Sequence, residues 1–128
     1  MRICVDLRKL NDACLHDPFP TPFTDEVLES VGGQEVYSFT NGFFGYHKIR
    51  IAKEDRHKTT FETEWGCFQY MVMPLGLKNS PTIFSKIVVA IFKGCIHKFI
   101  EVYFNDWMIF RIIKDHIESL RMMLECCH

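Results

Sequence analysis

Two groups of residues in this chain could do chemistry. The first is Asn105-Asp106, a polar pair set between the apolar runs Phe99-Ile100-Glu101-Val102-Tyr103-Phe104 and Trp107-Met108-Ile109-Phe110. Two short polar residues between β-rich runs signal a tight hairpin, because Asn and Asp tolerate positive φ. Taken alone, such a pair more often serves the turn than a reaction. The second group is Arg50, Lys53, Arg56, His57 and Lys58, a run of cations suited to salt-sensitive contacts with phosphates. Glu54 and Asp55 interrupt it, so it reads equally well as a solvated charged hairpin. The six cysteines (Cys4, Cys14, Cys67, Cys95, Cys126 and Cys127) contain no C-x-x-C pair, which argues against a zinc or redox site. They read as reduced thiols of an intracellular protein, cytoplasmic or nuclear.

The totals bound these readings. A chain of 128 residues with 48% hydrophobic residues fits one domain with a real core. Twelve Phe, four Tyr and two Trp argue against disorder. Fifteen Lys+Arg against sixteen Asp+Glu leave a formal charge of -1, so any grip on nucleic acid must come from a local patch. No apolar run reaches the ~18 residues of a membrane span, and no secretory signal opens the chain.

The elements that would position these groups follow from periodicity and caps. Met1 to Val5 is extended and β-branched, and Asp17-Pro18-Phe19-Pro20-Thr21-Pro22 is a stiff connector. A helix is expected next, with Thr24 as N-cap, Phe23 and Leu28 as a staple, Val27, Leu28 and Val31 buried, and Gly32-Gly33 as its stop. Val36 to Thr40 reads as a strand, and Gly42 to Gly45 as a turn. Ile49 to Ile51 and Thr59 to Thr63 look like paired strands, with Phe68 to Val72 as another. Ser80-Pro81 opens the clearest helix, whose stripe Ile83, Phe84, Ile87, Val88, Ile91 and Phe92 should pack on a sheet. A last helix runs from about Asp115, with Ile117, Leu120 and Leu124 at helical spacing almost to the end. The order suits an α+β fold of split-βαβ type with helices on one face. Both ends look cut, as in the middle of a longer protein.

Arg2 to Asn11, Asp17 to Pro22, Thr40 to Ile49, Met73 to Phe84 and Tyr103 to Asp106, taken together and in order, resemble motifs of the reverse transcriptases of gypsy-type long-terminal-repeat retrotransposons. Arg2-Ile3-Cys4-Val5-Asp6-Leu7-Arg8-Lys9-Leu10-Asn11 and the connector after it resemble the first fingers motif. Thr40-Asn41-Gly42-Phe43-Phe44-Gly45-Tyr46-His47-Lys48-Ile49 resembles the first palm motif. Met73-Pro74-Leu75-Gly76-Leu77-Lys78-Asn79-Ser80-Pro81-Thr82-Ile83-Phe84 resembles the motif beneath template and incoming nucleotide. Tyr103-Phe104-Asn105-Asp106 resembles the Tyr-x-Asp-Asp hairpin. Order and spacing match over essentially the whole chain.

The resemblance implies template-directed nucleotidyl transfer from dNTPs by two Mg²⁺ ions about 3.5–4 Å apart. Three aspartates hold the metals in that family, and their positions here are Asn41, Asn105 and Asp106. An asparagine is neutral and cannot bridge two cations as a carboxylate does. The copy is therefore expected to be catalytically defective, with a degenerate metal site at Asp106. Arg2, Tyr46, Leu75 and Gly76 fall at nucleotide-contacting positions: a triphosphate arginine, the bulky side chain that excludes a 2′-hydroxyl, and a backbone approached closely by a base pair. Leu75 departs from the Phe or Gln usual there, and Phe44 and Lys48 depart from a small residue and a Gln. Arg8, Arg50, Lys53, Arg56 and Lys58 fall where the template backbone runs.

The implied organisation places fingers elements at about 1–35 and 50–75 and the palm at about 36–49 and 76–128, with thumb and ribonuclease H outside the chain. The implied partner is an RNA or DNA template–primer duplex. A non-catalytic nucleic-acid-binding or interaction module derived from a retroelement is the alternative.

Overall fold

A computed structural model describes residues 5–20, 23–42 and 45–128. The chain divides into two compact units, Met1–Pro18 with Phe44–Phe84, and Phe19–Phe43 with Ser85–His128. The expected first strand and Arg2 lie largely or wholly in residues 1–4, outside the described residues, as do Thr21 and Pro22 of the connector and Phe43 and Phe44 of the palm motif.

The first unit opens with helix α1, Arg8–Ala13. It starts where it does because the Asp6 carboxylate accepts the Arg8 backbone N–H at 3.0 Å, an i to i+2 bond that turns the chain. Asn11 then ties α1 to a distant loop: its Nδ2 donates to the Gly76 carbonyl at 2.8 Å, and its Oδ1 accepts the Lys78 N–H at 2.8 Å. Asn79 does the same from the other side, donating to the Leu15 carbonyl at 2.7 Å.

The pairing of Ile49–Ile51 with Thr59–Thr63 expected from sequence does not occur. Ile51 N–H donates to the Met71 carbonyl and Met73 N–H to that of Ile49, so this segment pairs with 71–73. The charged stretch folds as a 3-10 turn, Arg56–Thr59, followed by a short hairpin of Phe61–Thr63 and Gly66–Phe68. Thr59 decides this: its buried hydroxyl donates to the Arg56 carbonyl at 2.7 Å and accepts the Tyr70 N–H at 2.9 Å, closing the turn instead of extending it.

In the second unit helix α2, Thr24–Val31, begins one residue earlier than expected, with Phe23 rather than Thr24 at the cap position. Leu28 faces outward, and Gly33 at φ +79 ends the helix. Strand β1, Val36–Asn41, pairs antiparallel with β5, Asp106–Arg111, which pairs antiparallel with β4, Ile100–Tyr103. Strands β2 and β3 are the hairpin of the first unit. The sheet order β1-β5-β4 makes β1 and β4 parallel with β5 between them, the signature of a split βαβ sheet.

Helix α3, Ser80–Phe92, supplies the crossover. Its first turn bond runs from Ile83 N–H to the Asn79 carbonyl, and the Ser80 hydroxyl donates to the buried Pro74 carbonyl at 3.4 Å instead of capping. The expected apolar stripe divides: Phe84, Val88 and Phe92 are buried at i, i+4 and i+8, while Ile83, Ile87 and Ile91 stay partly exposed.

Phe92 packs edge-on against Trp107 at 5.1 Å. Side chains alternate along a strand, so Trp107, Ile109, Ser38 and Ile100 share the face that meets α3. Helix α4, Ile113–Cys126, covers the same face and buries His116, Ser119 and Met123. The His116 ring accepts or donates to the Ser38 hydroxyl at 2.8 Å. Ile117 and Leu124, apolar at helical spacing, point outward. Among the described residues, five cysteines form no disulfide and no helix is long and apolar enough to cross a membrane.

Candidate functional site

The hairpin tip sits at the end of the sheet, on the face turned away from α3 and α4. Tyr103 and Asp106 form the last pair of β4 and β5. The two turn residues are therefore Phe104 and Asn105, not Asn105 and Asp106 as the sequence suggests. Positive φ falls on Phe104, at +52, an unfavoured conformation for a bulky side chain. Its ring meets Tyr103 edge-on at 4.9 Å.

Two bonds join this tip to the end of β1. Gly42 N–H donates to the Asn105 carbonyl at 2.7 Å. Asn41 and Asp106 face each other in register, and the Asn41 Nδ2 donates to Asp106 Oδ1 at 2.5 Å. Both side chains are exposed. The structure thus brings together all three positions expected to hold metal, but with one carboxylate among them.

That donor set does not fit a pair of Mg²⁺ ions. A bridging carboxylate must offer oxygens to both metals, whereas Asp106 has one oxygen occupied by an amide N–H. Asn41 turns its amide N–H, rather than its carbonyl oxygen, toward Asp106. Among the described residues there is no group of three or more His, Cys, Asp or Glu able to hold a metal ion.

The remaining expected site residues lie in the first unit, apart from Arg2, which is outside the described residues. Tyr46 is buried in a 3-10 turn, Tyr46–Lys48, with its ring 4.9 Å from that of Phe84. Leu75 is exposed. Gly76 adopts φ +100, which L side chains rarely reach, although a Cβ there would meet nothing closer than Leu7 Cδ1 at 3.9 Å. Its backbone conformation alone calls for glycine.

Arg8 lies on α1 rather than on a strand and clamps Asp6, with Nη2 2.6 Å from Oδ2. The side-chain and backbone bonds from Arg8 pull the Asp6 carboxyl down to about 2. Arg56 is spoken for by the Ile51 carbonyl, and Lys58 by Asp55 at 2.5 Å, which raises its pKa. Arg50, Lys53 and His57 have no side-chain partner among the described residues, so the patch keeps part of its charge for a ligand. Sequence reasoning missed the positioning residues Asn11 and Asn79. Their only signal was their place inside two of the motifs.

Comparison with known proteins agrees with this geometry. The family model described as reverse transcriptase (RNA-dependent DNA polymerase) matches residues 1–128. The chain is 31% identical over 126 residues to the retrovirus-related Pol polyprotein from transposon gypsy of Drosophila melanogaster, covering 98% of this chain and 12% of that polyprotein. It is 30% identical over 129 residues to an RNA-directed DNA polymerase homolog of Oenothera berteroana, covering 98% of this chain and 91% of that protein. Among solved structures, the foamy viral protease-reverse transcriptase in complex with double-stranded DNA superposes with a TM-score of 0.86 at 22% identity, over 98% of this chain and 22% of that one. The α+β fold is that of palm and fingers. The chain belongs to the reverse transcriptase family, in its gypsy-type retrotransposon branch, and spans about an eighth of the Pol polyproteins it matches.

Proposed function

We propose that this chain is a fingers-and-palm portion of a retrotransposon RNA-directed DNA polymerase that descends from a nucleotidyltransferase and does not itself polymerise. The single observation that carries this is the Asn41–Asp106 contact, an amide bonded to the lone acid where the family places carboxylates around divalent metal. Fingers elements fall at about 1–35 and 50–75, and palm elements at about 36–49 and 76–128. Arg2, Tyr46, Leu75 and Gly76 are assigned to the nucleotide. Arg8, Arg50, Lys53, Arg56 and Lys58 are assigned to the template backbone.

The family's reaction uses Mg²⁺ to activate the primer hydroxyl and to hold the dNTP. Neutral amides at two of three metal positions remove the charge that attracts those ions. The test is primer extension on an RNA template with dNTPs and Mg²⁺. No product is expected, and extension by the unaltered chain would sink the reading. The double variant Asn41→Asp with Asn105→Asp is expected to gain Mn²⁺ affinity, read by titration.

A second reading is a non-catalytic nucleic-acid-binding module, favoured by the uncommitted cations Arg50 and Lys53. Two foamy viral protease-reverse transcriptases of similar fold are seen in complex with double-stranded DNA and with an RNA/DNA hybrid. An RNA–DNA hybrid should bind with an affinity that falls as salt rises. Absent or salt-insensitive binding would remove this reading and leave the first untouched.

A further inference from the structure

The first unit holds a cavity of about 380 Å³ whose apolar interior has no part in the roles above, although Arg50 and Lys58 of its lining are assigned there to the template backbone. Its size lies within the range of about 300–1,000 Å³ that receives small organic ligands. Leu10 of α1, Ile49 and Ile51, Met73, Leu77 and Ile83 give it apolar walls. Most of its polar lining is already satisfied. Asn79 is bonded to Leu15 and Asp17, Thr59 to Arg56 and Tyr70, and Asp55 to Lys58.

Two lining groups differ. Neither the Arg50 guanidinium nor the Lys78 ammonium has a side-chain partner among the described residues. An apolar chamber with two water-exposed cations in its lining suits a ligand with an apolar body and one anionic head. The body would gain by leaving water, and the head would exchange water for charge-assisted bonds to the two cations. A plain hydrocarbon would leave both cations to water, and a small inorganic anion would leave the walls bare. We infer that this cavity is a binding site for an amphiphilic organic anion, such as an aromatic or aliphatic carboxylate or sulfonate. The inference does not depend on polymerase ancestry or on the Asn41–Asp106 site.

Cys14, half-buried in the same lining, gives the experiment a built-in reporter. The probe is 8-anilinonaphthalene-1-sulfonate, followed by its fluorescence and by mass-spectrometric alkylation of thiols with iodoacetamide. At ten times the dissociation constant of the dye, alkylation of Cys14 should slow about tenfold by mass action. Exposed Cys67 should react at an unchanged rate. Lys78→Glu, at an exposed position, should weaken dye binding about two- to fivefold. Ile83→Trp should fill the chamber and abolish protection of Cys14, with circular dichroism confirming that the variant is folded. Any of three results would overturn the site: no dye binding, dye binding that leaves Cys14 as reactive as before, or undiminished Cys14 protection in Ile83→Trp.

Discussion

Asn41 Nδ2 sits 2.5 Å from Asp106 Oδ1, across the last pair of β1 and β5. An amide N–H and a carboxylate attract, so this end of the sheet closes on itself without a cation. With an acid at both positions it could not, because two carboxylates at this separation repel unless something positive lies between them.

Asn41→Asp should destabilise the chain in chelator by about 0.2–1 kcal/mol, the cost of like charges directly opposite on a sheet. Millimolar Mg²⁺ or Mn²⁺ should restore part of the loss. Thermal unfolding with and without metal measures both, and a melting temperature insensitive to metal would refute it. Asp106→Asn in the same background should remove the metal effect.

Gly76→Ala is expected to destabilise by about 1–3 kcal/mol, because φ +100 is a sparsely populated region for any residue with a Cβ. Space is not the cause, since the nearest atom is 3.9 Å away. Urea unfolding distinguishes the two. A loss this large in the absence of nucleic acid shows that the glycine serves its own turn.

Ser38→Ala should cost about 1–3 kcal/mol. His116 is buried, its Nε2 meets only the Ser38 hydroxyl, and its Nδ1 already has no partner among the described residues. Removing the hydroxyl leaves the ring with nothing to bond. A change within ~0.5 kcal/mol in equilibrium unfolding would mean that water fills the gap.

The Asp6 carboxyl should titrate near 2 instead of 3.8, because Arg8 bonds it by side chain and backbone. A depressed folded-state pKa gives stability that is present above 3.8 and is lost as pH falls toward 2. Carbon-detected NMR titration reads the value at Asp6, and Arg8→Ala should return it to the ordinary range.

Much of the fold is legible in local sequence. Ser80-Pro81 and its apolar repeat announce α3, the strand pattern of Val36 to Thr40 announces β1, and Gly32-Gly33 announces the end of α2. Motif order implies that Asn41 and Asp106 share a site, and the β1–β5 register sets them opposite each other. Pairings were less legible. Ile49–Ile51 has the composition to pair with either of two neighbours, and it was the Thr59 hydroxyl, closing a turn, that left 71–73 as its partner. The helical spacing of Ile117, Leu120 and Leu124 marks the helix but not its buried residues, which are His116, Ser119 and Met123.

The hairpin tip separates what each level decides. Sequence alone determined that a tight turn falls near Asn105-Asp106, that only one acid remains at the site, and which family the chain resembles, because these depend on residue type and order. Tertiary structure decided which residues make the turn. Ile100 and Ile109 are fully buried opposite each other, and the strand period of two then fixes Tyr103 opposite Asp106. The positive φ is thereby forced onto Phe104, against its local preference, because burying two isoleucines outweighs about 1–2 kcal/mol of left-handed strain. The same register holds the Asp106 carboxylate against the Asn41 amide. A lone acid became a bonded one through pairing across the sheet, which no local pattern encodes.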